Sequence, residues 1–145
     1  MTDIDPTYID VEQLQCYRNT QRKQGLVFVV EGNPVPKARP RIGRGKAYTP
    51  ARTAAWEQTI GWKARERMAI EGRELFTMPV RVDMTFCYGN GGADLDNLVK
   101  AVLDALNGVV WEDDVQVVSM SARIHRGCPK DQRQVSIGVE ALSTN

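Results

Sequence analysis

The 21 residues from Asp94 to Asp114, DLDNLVKAVLDALNGVVWEDD, constrain this chain more than any other stretch. They hold six acidic side chains, Asp94, Asp96, Asp104, Glu112, Asp113 and Asp114, and a single base, Lys100. Leu95, Leu98, Val99, Val102, Leu103 and Leu106 recur at three-and-four spacing, which predicts an amphipathic helix over 95–106. One carboxylate pair then stands at the start of the helix and another group just past its end. Asn107-Gly108 is suited to turn the chain back so that the two meet.

Such a meeting is electrostatically costly. Two like charges about 4 Å apart repel by roughly 4 kcal/mol at an effective dielectric near 20, so converging carboxylates need a cation or must raise their pKa values. A hard divalent ion held by carboxylate oxygens and water meets the need. Lys100 lies four residues after Asp96, and Asp104 continues that helical stripe. An ammonium fixed beside a metal-binding carboxylate suits a phosphate substrate. The plainer alternative is a solvated helix edge on which Asp96, Lys100 and Asp104 pair among themselves while Asp94 and Asp96 serve as N-caps. The second acidic group, Glu112-Asp113-Asp114, set between Trp111 and an apolar strand, speaks against that alternative for the set as a whole.

The strings DLDNLVKAVLDAL and WEDDVQV resemble the signature of the RusA family of Holliday junction resolvases, small metal-dependent endonucleases of phage and prophage origin. The family pattern is Asp-x-Asp-Asn-x-x-Lys, a helix ending in Asp-Ala-Leu, then Trp-x-Asp-Asp-x-Gln-Val, and every position is matched here. The resemblance implies that Asp94, Asp96 and Asp114 are the metal-binding catalytic carboxylates, with Lys100 as the essential base beside them and Asp113 as a supporting acid. It implies Mg²⁺ as cofactor, with Mn²⁺ able to substitute, and no small-molecule cofactor. The implied activity is resolution of four-way DNA junctions in recombination and repair. Paired cuts on opposed strands call for two matched active sites, hence a homodimer. A less selective metal-dependent nuclease for flaps and forks would share all these residues. A non-catalytic DNA-binding module is the alternative of a different class.

The remaining chain supplies a domain around this stretch. With 145 residues and 42% hydrophobic content there is material for one globular domain with a real core, expected over 26–145. Residues 1–25 read as an extension, with a short helix from about Asp10. Cys16, Cys87 and Cys128 are widely spaced and odd in number, which fits a reduced cytoplasmic protein without disulfide or zinc. No apolar run approaches the roughly 20 residues of a membrane span, and the acidic start lacks a signal peptide's pattern.

A formal net charge of +1 excludes a uniformly basic coat, so any affinity for nucleic acid must come from charge distribution. Between Glu31 and Glu57 the chain carries Lys37, Arg39, Arg41, Arg44, Lys46 and Arg52 and no acid. Pro34, Pro36 and Pro40 forbid a helix there, and Gly43 and Gly45 permit a tight turn, so a basic hairpin or loop is expected as a phosphate-backbone contact surface. This PxPKxRPR and YTPxRT segment also resembles a RusA subgroup. A loop whose charges serve solubility is the alternative.

Leu26–Val30 reads as a strand buried on both faces. Thr49-Pro50 reads as the start of a helix running to about Ile70, with Trp56, Ile60, Ala64 and Met68 inward and Trp62 also a packing residue. Val80–Tyr88 alternates as a half-covered strand, and Gly89–Gly92 forms a flexible loop delivering the chain to Asp94. Two further alternating strands flank a turn whose Arg126, Lys130 and Arg133 are candidate low-specificity DNA contacts; His125 reads as a surface strand residue. The expected fold is α+β: a small mixed, mostly antiparallel sheet with two helices over one face.

Overall fold

The computed structural model describes residues 25–38, 41–43, 46–48 and 50–142, the side chains of 41–43 and 46–48 excepted. The expected N-terminal helix, Cys16, Thr49, Arg39 and Arg44, and the side chains of Arg41, Lys46 and Tyr48 lie outside the described residues.

Strand β1 spans Gly25–Glu31, and a short hairpin follows from β2 (Arg41–Gly43) and β3 (Lys46–Tyr48). Helix α1 (Ala51–Glu71) leads to strand β4 (Val80–Cys87), helix α2 (Leu95–Leu106), a 3-10 turn over Asp114–Gln116, and strands β5 (Val117–His125) and β6 (Gln134–Ala141). The four long strands form one sheet in the order β1-β6-β4-β5. The β1/β6 and β6/β4 pairs are antiparallel, whereas β4 and β5 run parallel, joined through α2. Parallel neighbours need such a crossover, and here the crossover helix is the acidic stretch itself.

Both helices cover one sheet face. Leu26, Phe28 and Val30 from β1, Val82, Met84 and Phe86 from β4, and Val135, Ile137 and Val139 from β6 point into it and are buried. Helix α1 closes the core with Trp56, Ile60, Ala64 and Met68, as its spacing predicts, and α2 with Leu98, Val99, Val102 and Leu106. Gly72 ends α1 in the left-handed conformation, where its amide and that of Arg73 reach the Ala69 and Met68 carbonyls.

Three expectations need correction. Strand β1 is covered on one face only, and Val27 and Val29 are exposed, because among the described residues no element packs on the second face of the sheet. An apolar run of five residues does not distinguish the two cases. Trp62 is 60% exposed and is no packing residue: it lies off the α1 stripe that Trp56 and Ile60 define. Pro50 occupies the N-cap of α1, so the helix starts one residue later than its sequence signal suggests.

Candidate active site

Helix α2 occupies the predicted bounds, with Asp94 at its N-cap in an extended conformation and no side-chain capping bond. Asp96 accepts a hydrogen bond from the Asn97 amide at 3.0 Å and remains exposed. One and two turns on, Lys100 and Asp104 follow on the same stripe.

The second acidic group is placed by a tight return. Gly108, at φ 78°, lets the chain reverse after α2, and its amide bonds the Trp111 carbonyl at 2.8 Å. Trp111 is wholly buried, with its indole Nε1 donating to Asp114 Oδ1 at 2.8 Å. A buried anchor therefore fixes the Asp114 carboxylate. Asp113 caps the 3-10 turn, accepting from the Val115 amide at 3.1 Å, while Gln116 Oε1 accepts from the amides of Glu112 and Asp113. The Gln116 amide nitrogen in turn donates to the carbonyls of Phe76 and Met78, at 2.8 and 3.0 Å. The Trp-x-Asp-Asp-x-Gln string is thus a self-capped turn pinned to the neighbouring loop.

Asp96, Lys100 and Asp104 from α2 and Asp114 from this turn line one groove of about 670 Å³, walled on the β5 side by Met120 and Ala122. Two carboxylate groups separated by a helix in sequence share one hollow. Asp94 and Asp113 are not in its lining. Among the described residues no three acidic, histidine or cysteine side chains gather closely enough to hold a metal ion. The grouping of Asp94 with Asp96 and Asp114 is therefore not present as a ready-made cage; Asp96 and Asp114 share the groove without it. Asp113 is engaged as a cap.

Asp104 is set apart from the other groove carboxylates by an ion pair. Lys37 Nζ lies 3.0 Å from Asp104 Oδ2 and 2.7 Å from Glu57 Oε1, bridging α2 and α1. Burial lowers the ammonium's pKa, but hydrogen bonds and charge from Glu57 and Asp104 outweigh it and hold Lys37 above its ordinary value. The Lys37 amide also bonds the Asn97 carbonyl at 2.8 Å. The first cation of the basic segment thus belongs to the scaffold and offers a phosphate no free charge. Lys100 is exposed and has no ion pair among the described residues. The alternative in which Asp96, Lys100 and Asp104 pair with one another is not what the structure shows.

The segment between β1 and α1 does form the expected hairpin, with Arg41 opposite Tyr48 and Gly43 opposite Lys46. Arg52 is exposed on the first turn of α1. Arg126 and Arg133 turn inward on the protein's own backbone. Arg126 bonds the carbonyls of Gly91 and Ala93, and Arg133 bonds that of Cys128. Sequence reasoning missed these contacts, as it missed Asn33, whose side chain accepts from the Gly89 amide at 2.8 Å. No local spacing signals the Arg126 and Asn33 contacts, whose partners lie between 33 and 56 residues away, whereas Arg133 reaches back only five residues, within the turn between β5 and β6. His125 is exposed at the end of β5, as expected.

Residues 31–140 match the family described as Endodeoxyribonuclease RusA. The chain is also similar to an uncharacterized protein, YqaN, of Bacillus subtilis (strain 168), at 30% identity over 121 aligned residues, covering 66% of this chain and 83% of that protein.

Proposed function

This chain belongs to the RusA endodeoxyribonuclease family, and we propose that it is a Mg²⁺-dependent, structure-selective endonuclease that resolves four-way DNA junctions by paired symmetric cuts, acting as a homodimer in the cytoplasm. The observation that carries this reading is that Asp96, Lys100 and Asp114, contributed by two separate elements, face one groove.

The donor set fits a hard divalent ion. Mg²⁺ commonly takes one or two carboxylates and completes its shell with water and substrate phosphate oxygens, so Asp96 and Asp114 suffice in kind without a third carboxylate cage. When bound, the metal supplies a water of lowered pKa and charge neutralisation at the phosphate, and Mn²⁺ has the same preference for oxygen. The chain's own residues do the rest. Trp111 holds the Asp114 carboxylate toward the groove. Lys37 neutralises Asp104, which would otherwise add to the repulsion of an incoming phosphate. Lys100, without an ion pair among the described residues, offers its ammonium to the phosphate oxygens as negative charge grows on them. The hairpin and Arg52 supply cations for the DNA backbone, a sequence-independent attraction that brings the substrate to the groove.

Incubation with a synthetic four-way junction, a flap and a linear duplex, each with and without Mg²⁺, tests this directly. The expected outcome is symmetric paired cuts in the junction, dependent on the metal. Equal cutting of flaps and linear duplex would replace junction resolution with general nuclease activity. Tight binding without cutting in either Mg²⁺ or Mn²⁺ would make the protein a DNA-binding module.

A further inference from the structure

The loop from Gly89 to Ala93 carries the chain from β4 to α2 and so sets where Asp94 and Asp96 enter. Its first half is held through backbone bonds and Asn33. Gly89 donates to Asn33 Oδ1 at 2.8 Å and accepts from the Gly127 amide at 3.2 Å, while the Cys128 amide reaches the Tyr88 carbonyl at 2.9 Å. Arg133 lies against Gly89 so closely that a Cβ there would come within 2.6 Å of its Cζ.

The second half is held differently. Gly91 sits at φ 136°, a conformation that side chains rarely adopt. Its carbonyl accepts from one terminal nitrogen of Arg126 at 3.1 Å, and the Ala93 carbonyl accepts from the other at 2.8 Å. One planar guanidinium therefore bridges the 91–92 and 93–94 peptide units of the loop that leads into Asp94. A lysine has the charge but not the fixed fork needed to bridge two carbonyls. Arg126 is itself exposed, on the turn between β5 and β6.

We propose that Arg126 is a positioning residue for the acidic end of α2: it clamps the Gly91–Ala93 backbone from the far turn and thereby fixes Asp94 and Asp96 relative to Asp114. The proposal rests on the reading of the groove as the site of phosphodiester cleavage. Two of the guanidinium's five N–H donors, one on each terminal nitrogen, are taken by the protein's own carbonyls, the geometry of a backbone clamp; a phosphate contact through the remaining donors is the competing role that the salt dependence below separates from it. A displacement of about 1 Å at a reacting centre is enough to lower a rate about 100-fold, so a modest loosening registers strongly.

The test uses Arg126→Lys and Arg126→Gln in the full-length protein, with three readouts. Amide hydrogen exchange at residues 91–94 is expected to accelerate in both variants, with exchange in the strands unchanged. Junction cleavage is expected to lose about 10- to 100-fold in kcat with little change in KM, and Lys is not expected to rescue it. Junction affinity in EDTA, and its dependence on salt, are expected to match the wild type. Unaltered exchange at 91–94, full rescue by Lys, or a weaker affinity with the log-log salt slope reduced by about 1, the mark of a lost phosphate contact, would each overturn the proposal. If the wild-type protein cuts no junction, the functional reading fails by itself, and the exchange measurement alone then decides whether Arg126 clamps the loop.

Discussion

Lys37 and Arg52 carry the same formal charge in the same acid-free segment, yet the fold uses them in opposite ways. Lys37 sits between Glu57 and Asp104, whereas Arg52 projects from the first turn of α1. Two predictions separate them. Arg52→Ala should reduce the salt dependence of DNA binding by about 1 on a log-log scale, while Lys37→Met should leave that slope unchanged. A common effect of both variants would mean that Lys37 reaches phosphate after all. The second concerns pH. The folded pKa of Lys37 is raised above its ordinary 10.5, so the stability it contributes is complete below the unfolded value and is lost as pH rises through the folded one. The difference in unfolding free energy between wild type and Lys37→Met, measured by urea denaturation, should therefore hold steady through neutral pH and shrink above about 10.5. No sequence rule separates these two cations, because Glu57 and Asp104 lie 20 and 67 residues from Lys37.

At the scale of elements, the acidic helix was legible to the residue. Its apolar stripe, its Asn-Gly ending and its bounds of 95–106 all stand. The basic hairpin followed equally from its prolines and glycines. Strand β1 departs from its pattern because five apolar residues look alike whether one or both faces of the sheet are covered, and only the layers packed on the sheet tell the two apart. The turn after α2 shows what pattern alone conveys. The WEDDVQV string marks the place, but the roles of Trp111 as an anchor for Asp114 and of Gln116 as a four-way tie emerge from contacts with residues 76 and 78. Gln116→Ala removes these bonds and should destabilise the protein by about 1–3 kcal/mol in chemical unfolding. Cleavage should fall by more than the loss of folded protein accounts for, because the turn that carries Asp114 is loosened. A rate that simply tracks the folded fraction would deny the turn any positioning role. Leu98→Ala, in the same helix but facing the core, should instead cost about 2–5 kcal/mol.

At the scale of the molecule, two helices close one sheet face, no element among the described residues packs on the other, and the acidic groove lies where α2 passes over the outer strand β5. No described helix is long and apolar enough to cross a membrane. Two coordinated cuts call for a symmetric pair of grooves, so light scattering at micromolar concentration should give twice the monomer mass; a monomer that still cuts both strands in one encounter would exclude that arrangement. The central claim is narrower: Asp96 and Asp114, brought to one hollow from two elements, act together on one phosphodiester. The most direct measurement compares junction cleavage and junction binding for Asp96→Asn, Asp114→Asn and the wild type in Mg²⁺. Each variant should lose cleavage by about 1,000-fold or more, since the lost carboxylate serves the transition state, while binding stays unchanged or tightens as a repulsive charge is removed. Cleavage by either variant at the wild-type rate would contradict the account.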